Sequence, residues 1–133
     1  MSFMGDLLSI EVPCEPAAPR LVRQALADVH DGTWSLDDGQ LVASELVTNA
    51  IRHSGCATRH SLGVEVGHHD GNLMISVHDP GLSGDHAEPV APQRVDPGGR
   101  GLQIVEQLSV RWGAERPDGY LVWAELPASP SVT

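Results

Sequence analysis

Residues 41–54, LVASELVTNAIRHS, decide how the rest of the chain is read. At 100° per residue, a helical wheel places Val42, Ala43, Leu46, Val47, Ala50 and Ile51 on one half and Ser44, Glu45, Thr48, Asn49 and Arg52 on the other. One half is built to pack, and the other is left to meet something. On a helix Glu45, Asn49 and Arg52 stand above one another at spacings of four and three, with Cβ atoms about 5–6 Å apart. An ordinary amphipathic helix with solvated Glu, Asn and Arg has the same pattern, so the surrounding chain has to decide between the two.

Upstream, Ser35 is a candidate cap for this helix, with Asp38 in a capping-box relation to it. Leu21, Val22, Ala25, Leu26 and Val29 predict an earlier helix over residues 20–30, closed by Asp31-Gly32. Before the Pro-rich break CEPAAP, DLLSIEV at 6–12 reads as a first strand near a sheet edge, stopped by Pro13. Downstream, Ser54-Gly55 ends the organising helix. Leu62, Val64 and Val66, then Leu73, Ile75 and Val77, alternate with period two around His68-His69-Asp70-Gly71-Asn72, which predicts a β-hairpin over 61–79. Residues 80–99 hold no sustained apolar periodicity, and so long an irregular stretch in a small domain is expected to be a lid or binding loop. Helical spacing returns over 101–109, followed by strands at 110–115 and 120–126 around the turn Arg116-Pro117-Asp118-Gly119.

This order predicts a two-layer α/β sandwich, a mixed and largely antiparallel sheet covered on one face by helices. A chain of 133 residues with 41% hydrophobic content supports one core, so residues 1–133 are read as a single domain, with the tail 127–133 expected to be disordered. No apolar run reaches membrane-spanning length and no signal-peptide pattern opens the chain, so the expectation is a cytoplasmic protein that does not enter the membrane. Eighteen acidic against eight basic residues give a net charge of −10, which repels nucleic acid and favours a protein partner with a basic face.

Cys14 and Cys56 show no framework spacing and are expected to be reduced thiols. Seven histidines contain no set of three or four at structural zinc spacing. His68 and His69 fit a solvated turn. Trp34, Trp112 and Trp123 read as core anchors, with Trp123 a candidate for the opposite sheet face. Arg20 and Arg23 read as a solvated helix face.

Two further motifs carry chemistry. The strand ending at Val77 runs into His78-Asp79-Pro80-Gly81, where a carboxylate can accept from an exocyclic amine and a glycine lets a flat ring approach. Gly98-Gly99-Arg100-Gly101-Leu102 opens a helix, where free backbone N–H groups, the helix dipole and Arg100 favour an anion such as phosphate. Alone, the first is an ordinary turn and the second an ordinary flexible helix entry. The second is not a Walker loop, because no Gly-Lys-Ser/Thr follows.

Together and in this order, the three motifs resemble the GHKL (Bergerat) ATP-binding fold shared by gyrase, histidine kinases and MutL, and most nearly its small branch, the anti-sigma factor serine/threonine kinases of actinobacterial type. ELVTNAIRH (45–53) resembles the N box of that family, HDPG (78–81) its adenine-binding box, and GGRGLQIVEQL (98–108) its phosphate-binding box. GYLVWAEL (119–126) resembles its closing strand. The resemblance implies ATP and Mg2+ as cofactors. It implies Glu45 as the general base activating the attacking hydroxyl and Asn49 as the magnesium ligand. It also implies Asp79 as the acceptor of the adenine amino group, Gly81 as the space beside the ring, and Gly99, Arg100, Gly101 and Leu102 around the phosphates, with Arg52 and His53 supporting the site from the N box. The implied function is an ATP-dependent protein kinase that sequesters a sigma factor and phosphorylates a STAS-type anti-anti-sigma partner, with homodimerisation in keeping with the family. The alternative is a nucleotide-sensing module that regulates a partner by sequestration without phosphoryl transfer.

Overall fold

Leu62, Val64 and Val66 alternate with Gly63, Glu65 and Gly67, and the strand they form sends its branched residues to one side and its small and charged residues to the other. The computed structural model describes residues 6–54, 61–79, 100–115 and 121–128. In chain order it contains β1 (Leu8–Pro13), α1 (Ala18–Val29), α2 (Leu36–Ser54), β2 (Ser61–His69), β3 (Asn72–His78), α3 (Arg100–Leu108), β4 (Arg111–Glu115) and β5 (Leu121–Leu126). The expected lid, the turn at 116–119 and most of the expected tail lie outside the described residues.

The sheet has the order β1-β2-β3-β5-β4, and every described pairing is antiparallel. β1 is an edge strand, as expected, and Pro13 closes it opposite Ser61, where a missing N–H costs little. The hairpin between β2 and β3 is tighter than the sequence suggested. His68 and His69 still pair, with Leu73 and Asn72, so the turn shrinks to Asp70 and Gly71. Their φ values of 53° and 84° give the mirror-image turn whose twist matches its strands. Between β3 and the outermost strand β4 the chain carries α3, and β5 then returns to pair with β3 in the middle of the sheet.

All three helices supply residues to one apolar core, against Val64, Val66, Leu73, Ile75, Val77, Val122 and Ala124. α2 is its spine, with Val42, Ala43, Leu46, Val47 and Ala50 all at 0% exposure and Ile51 packed at the margin. Ser35 caps α2 by accepting a hydrogen bond from the Asp38 N–H at 3.2 Å, and Asp37 and Asp38 place negative charge at the positive end of the helix. Gly39 is required in the first turn of α2, since a Cβ there would stand 2.8 Å from the buried Trp34 ring. α1 begins earlier than the apolar spacing implied because Pro19 fits the first helical turn, where its missing N–H has no partner to lose.

Cys14 lies buried between β1 and α1 and is disulfide-bonded, which corrects the expectation of two reduced thiols. Two distant cysteines carry no spacing signal, and only the folded chain can bring a partner to Cys14. Cys56, the chain's other cysteine, lies outside the described residues. Among the described residues no helix is long and apolar enough to cross a membrane.

Candidate functional site

The polar half of α2 is less open than its wheel implies. Ser44 and Asn49 are each 8% exposed, Glu45 and Thr48 are half-buried, and Arg52 is exposed. Ser44 is covered by α1, whose Arg23 donates to its hydroxyl at 3.1 Å, while Gln40 donates to the Arg23 carbonyl at 2.9 Å. Arg23 therefore ties two helices together, a role that a single helical wheel cannot show because the wheel contains no neighbouring helix. Asn49 and Arg52 are likewise engaged within the protein.

β3 ends at His78, and the next residue, Asp79, is 0% exposed. The strand's alternation explains the burial. Asp79 continues the inward series Leu73, Ile75 and Val77 one step past the last pair, placing its carboxylate beneath the helix layer. α2 packs on both β3 and α3, so these three elements belong to one continuous packing unit. Leu102 is 9% exposed, and with Val105 at 0% it anchors the first turns of α3 in the core.

Of the residues singled out by sequence, Glu45, Asn49, Arg52, Asp79 and Leu102 are placed with their side chains. His53 lies in the last turn of α2, and Arg100 and Gly101 open α3, each described by its backbone alone. Gly81 and Gly99 lie outside the described residues.

Among the described residues no group of three or more His, Cys, Asp or Glu side chains is arranged to hold a metal ion. Magnesium bound to phosphates does not need one, because it keeps several waters and takes one or two hard oxygen ligands from the protein. A carboxylate offers about four acceptor positions, so the buried Asp79 retains capacity for a ligand amine beside its internal contacts.

The clearest electrostatic perturbations lie away from this site, at the hairpin end of the sheet. Hydrogen bonds from the backbone and side chain of His68 hold Asp6 below the usual carboxylate range. The hydroxyl and backbone N–H of Thr33 do the same for Asp31. Burial pushes Glu125 up, but hydrogen bonds from Asn72 at 2.9 Å and Arg111 at 2.7 Å outweigh it and leave the carboxyl lowered. His68 is thus more than a solvated turn residue, since its ring reaches Asp6 at 3.2 Å and Asp31 at 3.4 Å and joins the β2 end to two other segments.

A family profile described as the histidine kinase-like ATPase domain matches residues 12–125. A comparison with curated protein sequences finds no match. Among solved structures, the chain is similar to that of the RsbU and RsbW domains of Rv1364c from Mycobacterium tuberculosis, with a TM-score of 0.57 and 20% identity over 95% of this chain. The match covers 35% of that protein, so this chain spans about a third of its length. A blue-light activated histidine kinase from Erythrobacter litoralis matches over 98% of this chain and 67% of its own, with 19% identity and a TM-score of 0.49.

Proposed function

The chain belongs to the histidine kinase-like ATPase domain family, and from that premise we propose that it is an ATP-dependent anti-sigma factor that acts as a protein serine/threonine kinase. In this reading it holds a sigma factor inactive and phosphorylates a serine of a small STAS-type anti-anti-sigma protein. The chain works as one domain, with residues 80–99 as its lid. The observation that carries the reading is the packing unit formed by α2, β3 and α3. Glu45 and Asn49 lie on α2, Asp79 directly follows β3 and Arg100 opens α3, and the packing of those three elements supports a shared site.

Each residue has a task that its surroundings support. Asp79, wholly shielded from water, would accept from the adenine amino group, where a bond is worth more than in solvent. Asn49 would hold magnesium through its amide oxygen, and the first turn of α3, with Arg100, would receive phosphates. Bound ATP supplies the phosphoryl group. Glu45, half-buried one turn before Asn49, would accept the proton of an incoming serine hydroxyl and orient that oxygen.

Two measurements test this. ATP titrated calorimetrically into wild type should bind in a magnesium-dependent manner, and Asn49→Ala should weaken that binding. With a cognate partner, Glu45→Ala should abolish phosphoryl transfer while sparing ATP binding. ATP binding by wild type without transfer to its true partner would replace the kinase with the sequestering module, and no nucleotide binding at all would remove both. The net charge of −10 suits a basic sigma factor. Sigma-factor affinity that does not fall with salt would remove that electrostatic part.

A further inference from the structure

Cys14 follows the last residue of the edge strand β1, and a single turn of chain separates it from α1. It is disulfide-bonded and only 4% exposed. Two hydrogen bonds close the turn around it, from the Glu15 N–H to the Pro13 carbonyl and from the Ala18 N–H to the Glu15 carbonyl, each at 2.9 Å. The position of Cys14 therefore fixes where α1 begins. Among the described elements α1 is the most extensive packing neighbour of α2. Arg23 of α1 donates to Ser44 at 3.1 Å, and Gln40 of α2 donates to the Arg23 carbonyl at 2.9 Å. Ser44 directly precedes Glu45, and Asn49 lies one turn further on. A continuous set of contacts thus leads from the disulfide to the helix that carries both residues.

The bond is out of place as a mere staple. Disulfides replace a missing core in small domains, whereas here three helices and the sheet already enclose one apolar core. The proposed role also places the domain beside a sigma factor, in a compartment that keeps thiols reduced. Disulfides that form there are transient, and they catalyse or sense.

We propose that the Cys14 disulfide is a reversible redox control on nucleotide binding, in which the oxidised chain holds ATP and the reduced chain releases it. The inference rests on the reading above, that α2 carries part of a nucleotide site, and adds what governs that site. Exchange with a dithiol of the thioredoxin class breaks the S–S bond and forms two protein thiols, and the dithiol leaves as its own disulfide. Hydrogen peroxide reverses the step. It oxidises one thiolate to a sulfenic acid, and the second thiol displaces water from that sulfur to remake the bond. Once reduced, the entry to α1 loses its covalent anchor, and ordering α2 has to be drawn from the binding energy of ATP. By reciprocity, bound ATP protects the bond from reduction by the same factor.

The test uses the full chain, oxidised with peroxide or reduced with dithiothreitol, and titrates ATP with magnesium into each form below its melting temperature. Reduction should weaken ATP binding by about fivefold or more, and peroxide should restore it. Cys14→Ser should bind ATP as the reduced chain does, with or without dithiothreitol. Cys56→Ser removes the chain's other cysteine, leaves the buried position 14 untouched and should behave the same way, should Cys14→Ser disturb folding. In glutathione buffers of graded ratio, read by thiol alkylation and mass, ATP should shift the midpoint towards the oxidised chain by the factor seen in affinity. The proposal is overturned if both forms bind ATP equally, even where reduction lowers the melting temperature. It is also overturned if non-reducing electrophoresis shows that the bond joins two chains. ATP binding indifferent to reduction defeats this inference alone, and ATP binding by neither form defeats it together with the nucleotide reading.

Discussion

The two faces of the sheet are made by the same strands and behave as different materials. On the helix side, β2, β3 and β5 present Val64, Ile75 and Ala124, all at 0% exposure in a closed apolar layer. On the outer side the intervening residues are Glu65, Ser76 and Trp123, and they border an open cavity. One residue of displacement along a strand moves a side chain from one face to the other, although β3 is buried on both, with Met74 at 2% and Ser76 at 9% exposure on the outer side. Alternation therefore specifies both a core and a surface, and the helices decide which is which by packing on one of them.

The largest effect that separates the faces should come from α2. Leu46→Ala, at a position with 0% exposure, should cost about 2–5 kcal/mol in urea denaturation, whereas Leu121→Ala, half-exposed on the outer face, should cost less than about 1.5 kcal/mol. Equal costs would mean that the outer face is as closed as the core. Reduction of the Cys14 disulfide ranks next, at about 2–4 kcal/mol, read as a lower melting temperature in dithiothreitol than in its absence. An unchanged melting temperature would show that the bond adds nothing to the fold.

Gly113→Ala probes the outer face directly. Its Cβ has to displace the Trp123 indole, so a loss of about 1–3 kcal/mol should accompany a shift in tryptophan emission. Stability lost without an emission change would place the strain elsewhere. Arg111→Ala should cost about 1–2 kcal/mol by leaving the nearly buried Glu125 short of a donor, a moderate figure because Arg111 is itself half-exposed.

The smallest effect concerns the edge where the two faces meet. Asp6 and Asp31 are lowered from an ordinary value of 3.8, so they stabilise the fold fully above that pH. Their contribution is lost as pH falls through the lowered values of the folded state. The urea midpoint should decline below about pH 4. Thr33→Val, which removes the hydroxyl donor to Asp31, should flatten that decline slightly. A decline of the same steepness in the variant would exclude Thr33 as a source.

Element identity was legible because periodicity is local. The period-two run at 62–77 and the 3.6-period run at 41–54 each state their own conformation, whereas the turn expected over 68–72 closes to Asp70-Gly71 only once His68 and His69 pair with β3. The candidate site was drawn from residue types in order, since Glu45, Asn49 and Asp79 carry donors and acceptors whose chemistry does not depend on the fold. What sequence could not supply was environment. Ser44 and Asn49 sit on the polar half of the wheel yet are buried, Ser44 because Arg23 of α1 reaches its hydroxyl. His68 reads as a turn residue until Asp6 and Asp31 arrive from distant segments.

By itself, the sequence determined the type and order of the helices and strands, the apolar half of α2, and the net charge of −10, since each follows from local geometry or simple addition. Only the tertiary structure decided that β5 pairs with β3, that Cys14 enters a disulfide, and that Glu65, Ser76, Trp123 and Glu115 line one cavity. Those contacts join residues far apart in the chain. Their energy comes from packing many side chains at once, which no single stretch of sequence contains.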